Sequence, residues 1–243
     1  MTKIGYMTNK LTVVMPVYNE AGVIEKVVTS FHNEIIKKYP NSEFIIIEDG
    51  SIDGTKDVLL HIKKKIPIKL FMGKKKKGYF NAAKYGLSLA KGDIVFFSDS
   101  DLSHDPKDFW KMFEKLKDKD LILGSKIRRK DSFYRIFISK VYNILIWLFF
   151  NVYYKDINAG FKLMKKEVVE EIAPKVKHMR YGFWAELVIR SVYSKKSVEE
   201  VFVSHFERSY GKSHFKAIHI PKAAVKEFIG FIKLKSDLRC RLH

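Results

Sequence analysis

Two carboxylates one residue apart, Asp99 and Asp101 with Ser100 between them, follow directly on the apolar run Ile94–Phe97. At a strand end such a pair can set hard oxygen ligands beside a divalent cation, Mg2+ or Mn2+, which takes one or two carboxylates and fills its shell with substrate phosphates and water. That chemistry suits a diphosphate. Alone, the triplet fits a solvated pair ahead of a helix near Pro106, capped by Asp105, better than a metal site; its place after Ile94–Phe97 favours the metal. Glu48-Asp49-Gly50-Ser51 follows a second apolar run. Gly50 permits a tight turn from which a carboxylate can accept donors of a base or ribose, and ordinary turn chemistry uses the same residues. Gly78, Ala82 and Gly86 recur every four residues after Lys74–Lys77. On a helix they form one face that backbone or ligand can approach closely, while the lysines either meet phosphate or lie in solvent.

Other chemistries are excluded by pattern. Gly211-Lys212-Ser213 ends like a phosphate-binding loop, but Phe206 occupies the place of its first glycine, and no Gly-x-Gly-x-x-Gly follows the first apolar run. There is no Gly-x-Ser-x-Gly elbow and no His-Glu-x-x-His, and His104 beside the acidic triplet reads as a loop histidine. The one cysteine, Cys240, rules out an internal disulfide framework and suits a reducing, cytosol-facing location. Lysine and arginine number 46 against 27 acidic residues, a formal charge of +19 that calls for an anionic partner. Nucleic acid would satisfy the charge but leaves the acidic triplet unexplained, so it is not the expected partner.

The elements that must position these residues read as α/β. The runs Leu11–Met15, Glu43–Glu48, Ile68–Phe71, Asp93–Ser98 and Leu121–Leu123 predict buried strands. Val23, Val27, Phe31 and Ile35 predict a helix between the first two, and Asp53 a helix N-cap. Strand and helix in alternation imply a mostly parallel sheet, whose ligands lie beyond the strand carboxyl ends, where Pro16–Glu20, Glu48–Ser51 and Asp99–Asp101 fall.

Past Lys126 the character changes. A basic cluster (Lys126, Arg128, Arg129, Lys130, Arg135) leads into an aromatic-rich helix expected over about 132–153. Phe133, Phe137, Val141, Ile144, Leu148 and Val152 share its broad apolar face, and Arg135, Ser139, Asn143 and Asn151 a narrower polar stripe. A basic flank beside a greasy face predicts a helix lying in a membrane interface, the alternative being a core helix. The apolar stretch Val141–Tyr154 falls short of the about 20 residues that spanning needs, and Met1–Lys10 lacks a signal-peptide core. We therefore expect one catalytic domain over 1–215, including the interfacial helix, and a basic amphipathic tail over 216–243 with Ile220, Ala224, Phe228 and Phe231 on one side.

Taken in order, Val14–Glu20, Ile47–Thr55, Gly78/Ala82/Gly86, Lys91–Asp93, Asp99–His104, Gly124–Lys126, Asp156–Phe161 and Arg208–Ser213 resemble the inverting family 2 glycosyltransferases of GT-A fold. The likeness is to the polyprenyl-phosphate hexose synthases, the dolichyl-phosphate mannose synthase branch, and spans roughly Leu11 to Phe215. It implies that Pro16, Tyr18, Glu20, Glu48 and Asp49, with Gly78, Asp99 and Ser100, line a nucleotide-sugar pocket. It also implies that Asp99 and Asp101 hold a divalent metal on the donor diphosphate. Ser103 stands where this branch commonly has Gln as a further ligand, Lys126 where it has Arg, Phe80 where it has a second glycine, and His214 where it has Lys. A lipid phosphate acceptor is already anionic and needs gripping rather than deprotonating. Lys126, Arg128 or Arg129, Arg135 with Ser139, and Arg208, near Ser213, are the expected clamp. The implied activity is transfer of a hexose, mannose from GDP-mannose favoured over UDP-glucose, to dolichyl or polyprenyl phosphate. The expected place is the cytoplasmic face of a membrane, with an anchoring subunit as a further partner. The alternative acceptor, a glycan hydroxyl, needs a carboxylate base, for which Glu186 is the candidate.

Overall fold

The computed structural model describes residues 9–126, 133–206 and 220–240, leaving out the side chains of 133–135 and 220–222. Its centre is a seven-stranded sheet in the order β3-β2-β1-β4-β6-β5-β7. The strands are β1 (Leu11–Val17), β2 (Ser42–Glu48), β3 (Ile68–Met72), β4 (Ile94–Ser98), β5 (Leu121–Lys126), β6 (Phe161–Lys165) and β7 (Val198–Val203). All run parallel except β6, which is antiparallel to both its neighbours, β4 and β5. The five expected strands are present; β6 and β7 are additions.

Both faces of the sheet are covered, which is why β1 and β4 read as unbroken apolar runs. One face packs Val13, Met15, Phe96, Ile122, Phe161 and Leu163 against α1 (Ile24–Phe31), α2 (Thr55–Lys63) and α4 (Asp108–Lys115). The other packs Val14, Phe97, Leu123 and Met164 against α3 (Tyr79–Leu89), α5 (Phe133–Phe150), α6 (Lys166–Glu171), α7 (Phe183–Tyr193) and α8 (Ile220–Arg239). The stripe Val23, Val27, Phe31 and Ile35 is buried as its spacing predicts, α1 running on through a π turn over His32–Ile36. Gly86 of α3 lies against the Val14 and Ile47 side chains, so the helix sits close on the sheet.

Helix α5 turns the predicted apolar face outward: Phe137, Val141, Ile144 and Leu148 are exposed, while Ile146 and Phe150 enter the core. Asn143 of the polar stripe is buried because the chain reverses against it, and its Nδ2 donates to the carbonyls of Tyr154 (3.1 Å) and Lys155 (2.9 Å). Val152 lies beyond the helix and is buried. The described part of the 216–243 segment is α8, and its two sides separate. Phe231, Leu234 and Leu238 join the core, whereas Val225, Phe228, Ile229 and Ile232 are exposed. The Phe149 ring meets Phe228 and Phe231 at 5.6 Å, so the outward faces of α5 and α8 adjoin.

Candidate active site

Strands β1 and β2 pair in register from Leu11↔Ser42 to Val17↔Glu48, so the loops that follow leave the sheet side by side. Short polar side chains stitch them together. Asn19 N–H donates to Ser51 Oγ (2.9 Å) and Ile52 N–H to Asn19 Oδ1 (3.0 Å). Glu20 N–H donates to Thr55 Oγ1 (2.9 Å) and Ala21 N–H to Asp53 Oδ2 (3.1 Å). Asn19 holds a left-handed φ of 55°, which its short amide tolerates. Asp53 does not occupy the N-cap itself: α2 starts at Thr55 after Gly54, and Asp53 Oδ1 reaches the Thr55 N–H (3.1 Å) from one residue further out.

Glu48 is buried and its Oε1 accepts the Ser51 N–H, so it braces the turn. Asp49 accepts the N–H of Lys77 on Oδ1 and that of Gly78 on Oδ2, both at 2.8 Å, which ties the end of the lysine run to this turn. The run crosses directly over Gly50, where a Cβ would collide with the Lys75 and Lys76 backbone. Lys74 to Lys77 are exposed, and Lys76 Nζ lies 3.7 Å above the centre of the Tyr18 ring.

These loops and the end of β4 enclose a cleft of about 250 Å3. Of the residues expected around a nucleotide sugar, Pro16, Tyr18, Glu20, Asp49, Asp99 and Ser100 line it together with Asp101; Glu48 and Gly78 do not. Val17, Tyr79 and Ala82 complete the lining.

Asp99 is the most elaborately held residue of the cleft. Its N–H donates to the Gly160 carbonyl (3.0 Å) across the β4–β6 pair, and a Cβ at Gly160 would collide with both carboxylate oxygens. Tyr79 Oη donates to Asp99 Oδ1 (2.8 Å) and accepts from Trp184 Nε1 (2.7 Å). Desolvation, and next the charge of Asp101, push the Asp99 carboxyl up to about 7, against the opposing pull of the Tyr79 hydroxyl, Lys126 and Lys162. Asp101 Oδ1 accepts the Ser103 N–H (3.1 Å), and between them Leu102 takes a φ of 59°. For a bulky residue that is a strained conformation, of a kind concentrated at functional sites.

Ser103 is buried, and its carbonyl accepts the Phe206 N–H (2.9 Å). That bond accompanies a β-bridge between His104 and His205, whose ring centres lie 6.0 Å apart. His104 stacks on Phe161 at 4.4 Å, and burial drives its imidazole down to about 3, leaving it neutral at physiological pH. Its place in the fold is that of a buried loop histidine. His205 comes beside His104 from just past the end of β7, and nothing in its local sequence signals that.

Among the described residues, no three His, Cys, Asp or Glu side chains converge as a metal cage. Two carboxylates lining the cleft nonetheless fit Mg2+ or Mn2+, which bind through one or two carboxylates and substrate phosphates. Asp99 and Asp101 would hold the ion.

Of the expected phosphate clamp, Lys126 ends β5, half-buried, and its charge is felt at Asp99 and His104. Ser139 is half-buried on α5. Arg128, Arg129, Arg208 and Ser213 lie outside the described residues, as does the Arg135 side chain. Lys162 of β6, which motif reading passed over, is fully buried, and its Nζ has no hydrogen-bond partner among the described residues. Burial pulls its ammonium down to about 8 against the attraction of Asp156, Glu200 and Asp99.

Glu186 is fully buried in α7. Its carboxylate accepts the N–H groups of Lys177 (3.1 Å), His178 (2.7 Å) and Met179 (2.7 Å) and pairs with Arg190 Nε at 2.8 Å. All of that binds the turn ahead of α7 to the helix, and Glu186 is absent from the cleft lining.

A mostly parallel sheet that gathers an acidic pair and two stitched loops at its carboxyl edge is the layout of the GT-A glycosyltransferases. Solved structures bear this out at the level of fold. A mannosyltransferase from Pyrobaculum calidifontis, in complex with GDP-Man and Mn2+, superposes with a TM-score of 0.67 at 19% identity over 93% of this chain and 64% of that one. Glucosyl-3-phosphoglycerate synthase from Mycobacterium tuberculosis, in complex with Mn2+, UDP-glucose and phosphoglyceric acid, gives 0.70 at 15% identity over 94% and 80%. Residues 12–173 match glycosyl transferase family 2, and the chain belongs to that family. Dolichol-phosphate mannosyltransferase of Pyrococcus furiosus is 30% identical over 217 residues, 85% of this chain and 59% of that protein. Undecaprenyl-phosphate 4-deoxy-4-formamido-L-arabinose transferase of Aeromonas hydrophila is 24% identical over 86% of this chain and 64% of its own length. The chain thus spans about three-fifths of the length of these relatives.

Proposed function

We propose that this protein transfers a hexose, mannose from GDP-mannose in first place, from a nucleoside diphosphate to the phosphate of a dolichyl or polyprenyl lipid, with inversion at the anomeric carbon. The observation that carries the reading is the cleft in which Pro16, Tyr18, Glu20 and Asp49 stand opposite Asp99 and Asp101. A divalent ion there would neutralise the diphosphate and ease its departure. The loops after β1 and β2 seat the nucleoside. Lys126, Arg128 or Arg129, Arg135 with Ser139, Arg208 and Ser213 grip the acceptor phosphate, whose oxygen forms the new bond to the anomeric carbon as the bond to the departing diphosphate breaks. A hydroxyl acceptor would need a base, and the commitment of Glu186 to backbone amides and Arg190 counts against that alternative.

A lipid acceptor also accounts for the outward apolar faces of α5 and α8. Exposed Trp147 and Leu148 of α5 and Phe228 and Ile232 of α8 suit the interfacial region of a bilayer, with Lys140, Lys226 and Lys233 exposed on the same helices. No helix among the described residues is long and apolar enough to cross a membrane. Attachment through these faces, at the cytoplasmic surface and alongside an anchoring subunit, completes the proposal.

The test is transfer of radiolabelled sugar into an organic-extractable product, with GDP-mannose and UDP-glucose offered in parallel beside polyprenyl phosphate and Mg2+ or Mn2+. Label entering lipid from GDP-mannose supports the reading in full, and label from UDP-glucose changes the sugar alone. Label that stays in water with both donors, in protein that binds donor, overturns it.

A further inference from the structure

Tyr79 opens α3 with its ring on the cleft and its hydroxyl between Asp99 Oδ1 (2.8 Å) and Trp184 Nε1 (2.7 Å). An indole N–H donates only, so the phenol oxygen must accept from it, and the one phenol proton is left to point at Asp99. The chain Trp184 to Tyr79 to Asp99 therefore has a single hydrogen arrangement. The rings that carry it are fixed as well: Tyr79 packs edge-on to Phe97 at 6.3 Å, and Phe97 to Trp184 at 4.4 Å. On another side, the carboxylate lies against Gly160, in the space that a Cβ there would take.

We propose that Tyr79 is a positioning residue that ties up Oδ1 of Asp99 and leaves Oδ2 as the oxygen offered to a divalent cation. The inference rests on the reading of Asp99 and Asp101 as the metal-holding pair. Its consequence is selectivity. A carboxylate with one oxygen engaged favours binding through the other, which suits the compact octahedral shell of Mg2+ or Mn2+. Ca2+ readily takes both oxygens of a carboxylate and gains nothing from the restraint. Removing a hydrogen-bond partner behind a ligand typically costs about 10–100-fold in metal affinity.

The experiment measures Mn2+ and Ca2+ binding by isothermal titration to the full chain, with GDP and with UDP present in parallel, for the wild type, Tyr79→Phe and Asp101→Asn. Tyr79→Phe keeps the ring and its packing. It is expected to weaken Mn2+ about tenfold and to leave Ca2+ within about twofold, so the Mn2+/Ca2+ preference falls about tenfold, while the unpaired Trp184 N–H lowers the melting midpoint by a few degrees without unfolding the protein. Should that variant fail to fold, Tyr79→Leu, which also removes the hydroxyl and keeps an apolar side chain beside Phe97, must narrow the preference in the same direction. A preference equal to wild type, in protein whose Mn2+ binding is lost in Asp101→Asn, overturns the role of Tyr79 and leaves the metal pair standing. Mn2+ binding that survives intact in Asp101→Asn overturns the metal pair and the inference with it.

Discussion

Substituting Gly160 by alanine adds one methyl group at the point where the fold leaves least room for it. The new Cβ would collide with both oxygens of Asp99, and nothing else stands nearer to it. Gly160 has no left-handed φ, so alanine meets no backbone objection there. The loss of chain entropy in the unfolded state favours the variant by about 0.4–1 kcal/mol, which offsets part of the steric cost. To restore van der Waals separation the carboxylate must retreat by about 1 Å, which breaks its alignment with the Tyr79 hydroxyl. Misplacement on that scale costs about 100-fold in a positioned reaction, or about 2.7 kcal/mol of transition-state stabilisation. Gly160→Ala should therefore melt within a few degrees of wild type while Mn2+ binding and sugar transfer both drop about 100-fold. Transfer within about threefold of wild type, in a variant that melts normally, would show that Asp99 is not needed where the fold holds it.

Glu186→Ala removes the acceptor for three backbone N–H groups and one of the two carboxylates, with Asp237, that pair with a buried guanidinium. It should cost about 3–5 kcal/mol in urea unfolding; a stable but inactive variant would instead restore Glu186 as a base. The buried ammonium of Lys162, pulled down to about 8, sheds its proton earlier in the folded than in the unfolded chain. Between about pH 8 and 10.5 the unfolded state thus binds more protons, so this group's contribution to stability rises across that window, by at most about 3 kcal/mol. Comparing urea midpoints of wild type and Lys162→Met over that range should reveal the rise in the first only, and parallel curves would refute it. Ile144→Glu with Leu148→Glu, both on the outward face of α5, should leave the melting midpoint unchanged and reduce sedimentation with anionic vesicles at least tenfold, roughly the effect of losing two apolar contacts. Wild-type protein that stays in solution with such vesicles would end the interfacial reading.

What could be read from the chain divides along physical lines. Strands β1 to β5 are legible because burial on both faces makes each a continuous apolar run. Strand β6, Phe-Lys-Leu-Met-Lys, hides because Lys162 interrupts it, and the cost of burying that ammonium is invisible without its neighbours Asp156, Glu200 and Asp99. Strand β7 hides because Glu199 and Glu200 sit inside it. The acidic triplet and the loops after β1 and β2 announce themselves by residue type and place. Their supports do not: Tyr79 is 20 residues from Asp99, Trp184 is 105 from Tyr79, and neither belongs to a local pattern. Glu186 shows the converse, a carboxylate beside aromatics that invites a chemical role until backbone amides are seen to consume it. The face of α5 was legible from spacing alone, although the inward turn of Asn143 depends on where the chain reverses.

The one reversed strand also governs the order in which the molecule can come together. Because β6 lies between β4 and β5, the growing chain makes β5 before the strand that joins it to the rest of the sheet exists. Strands β1 to β4 can pair with one another as soon as they emerge, carrying the loops after β1 and β2 with them. Strand β5 must wait through the whole of α5 until β6 joins it to β4, and its other edge is met only by β7. The same closure brings Gly160 beside Asp99, so the acidic centre acquires its final shape in the step that unites the two halves of the sheet. A chain that ended before residue 160 would hold the loops after β1 and β2 but lack the strand against which Asp99 is set.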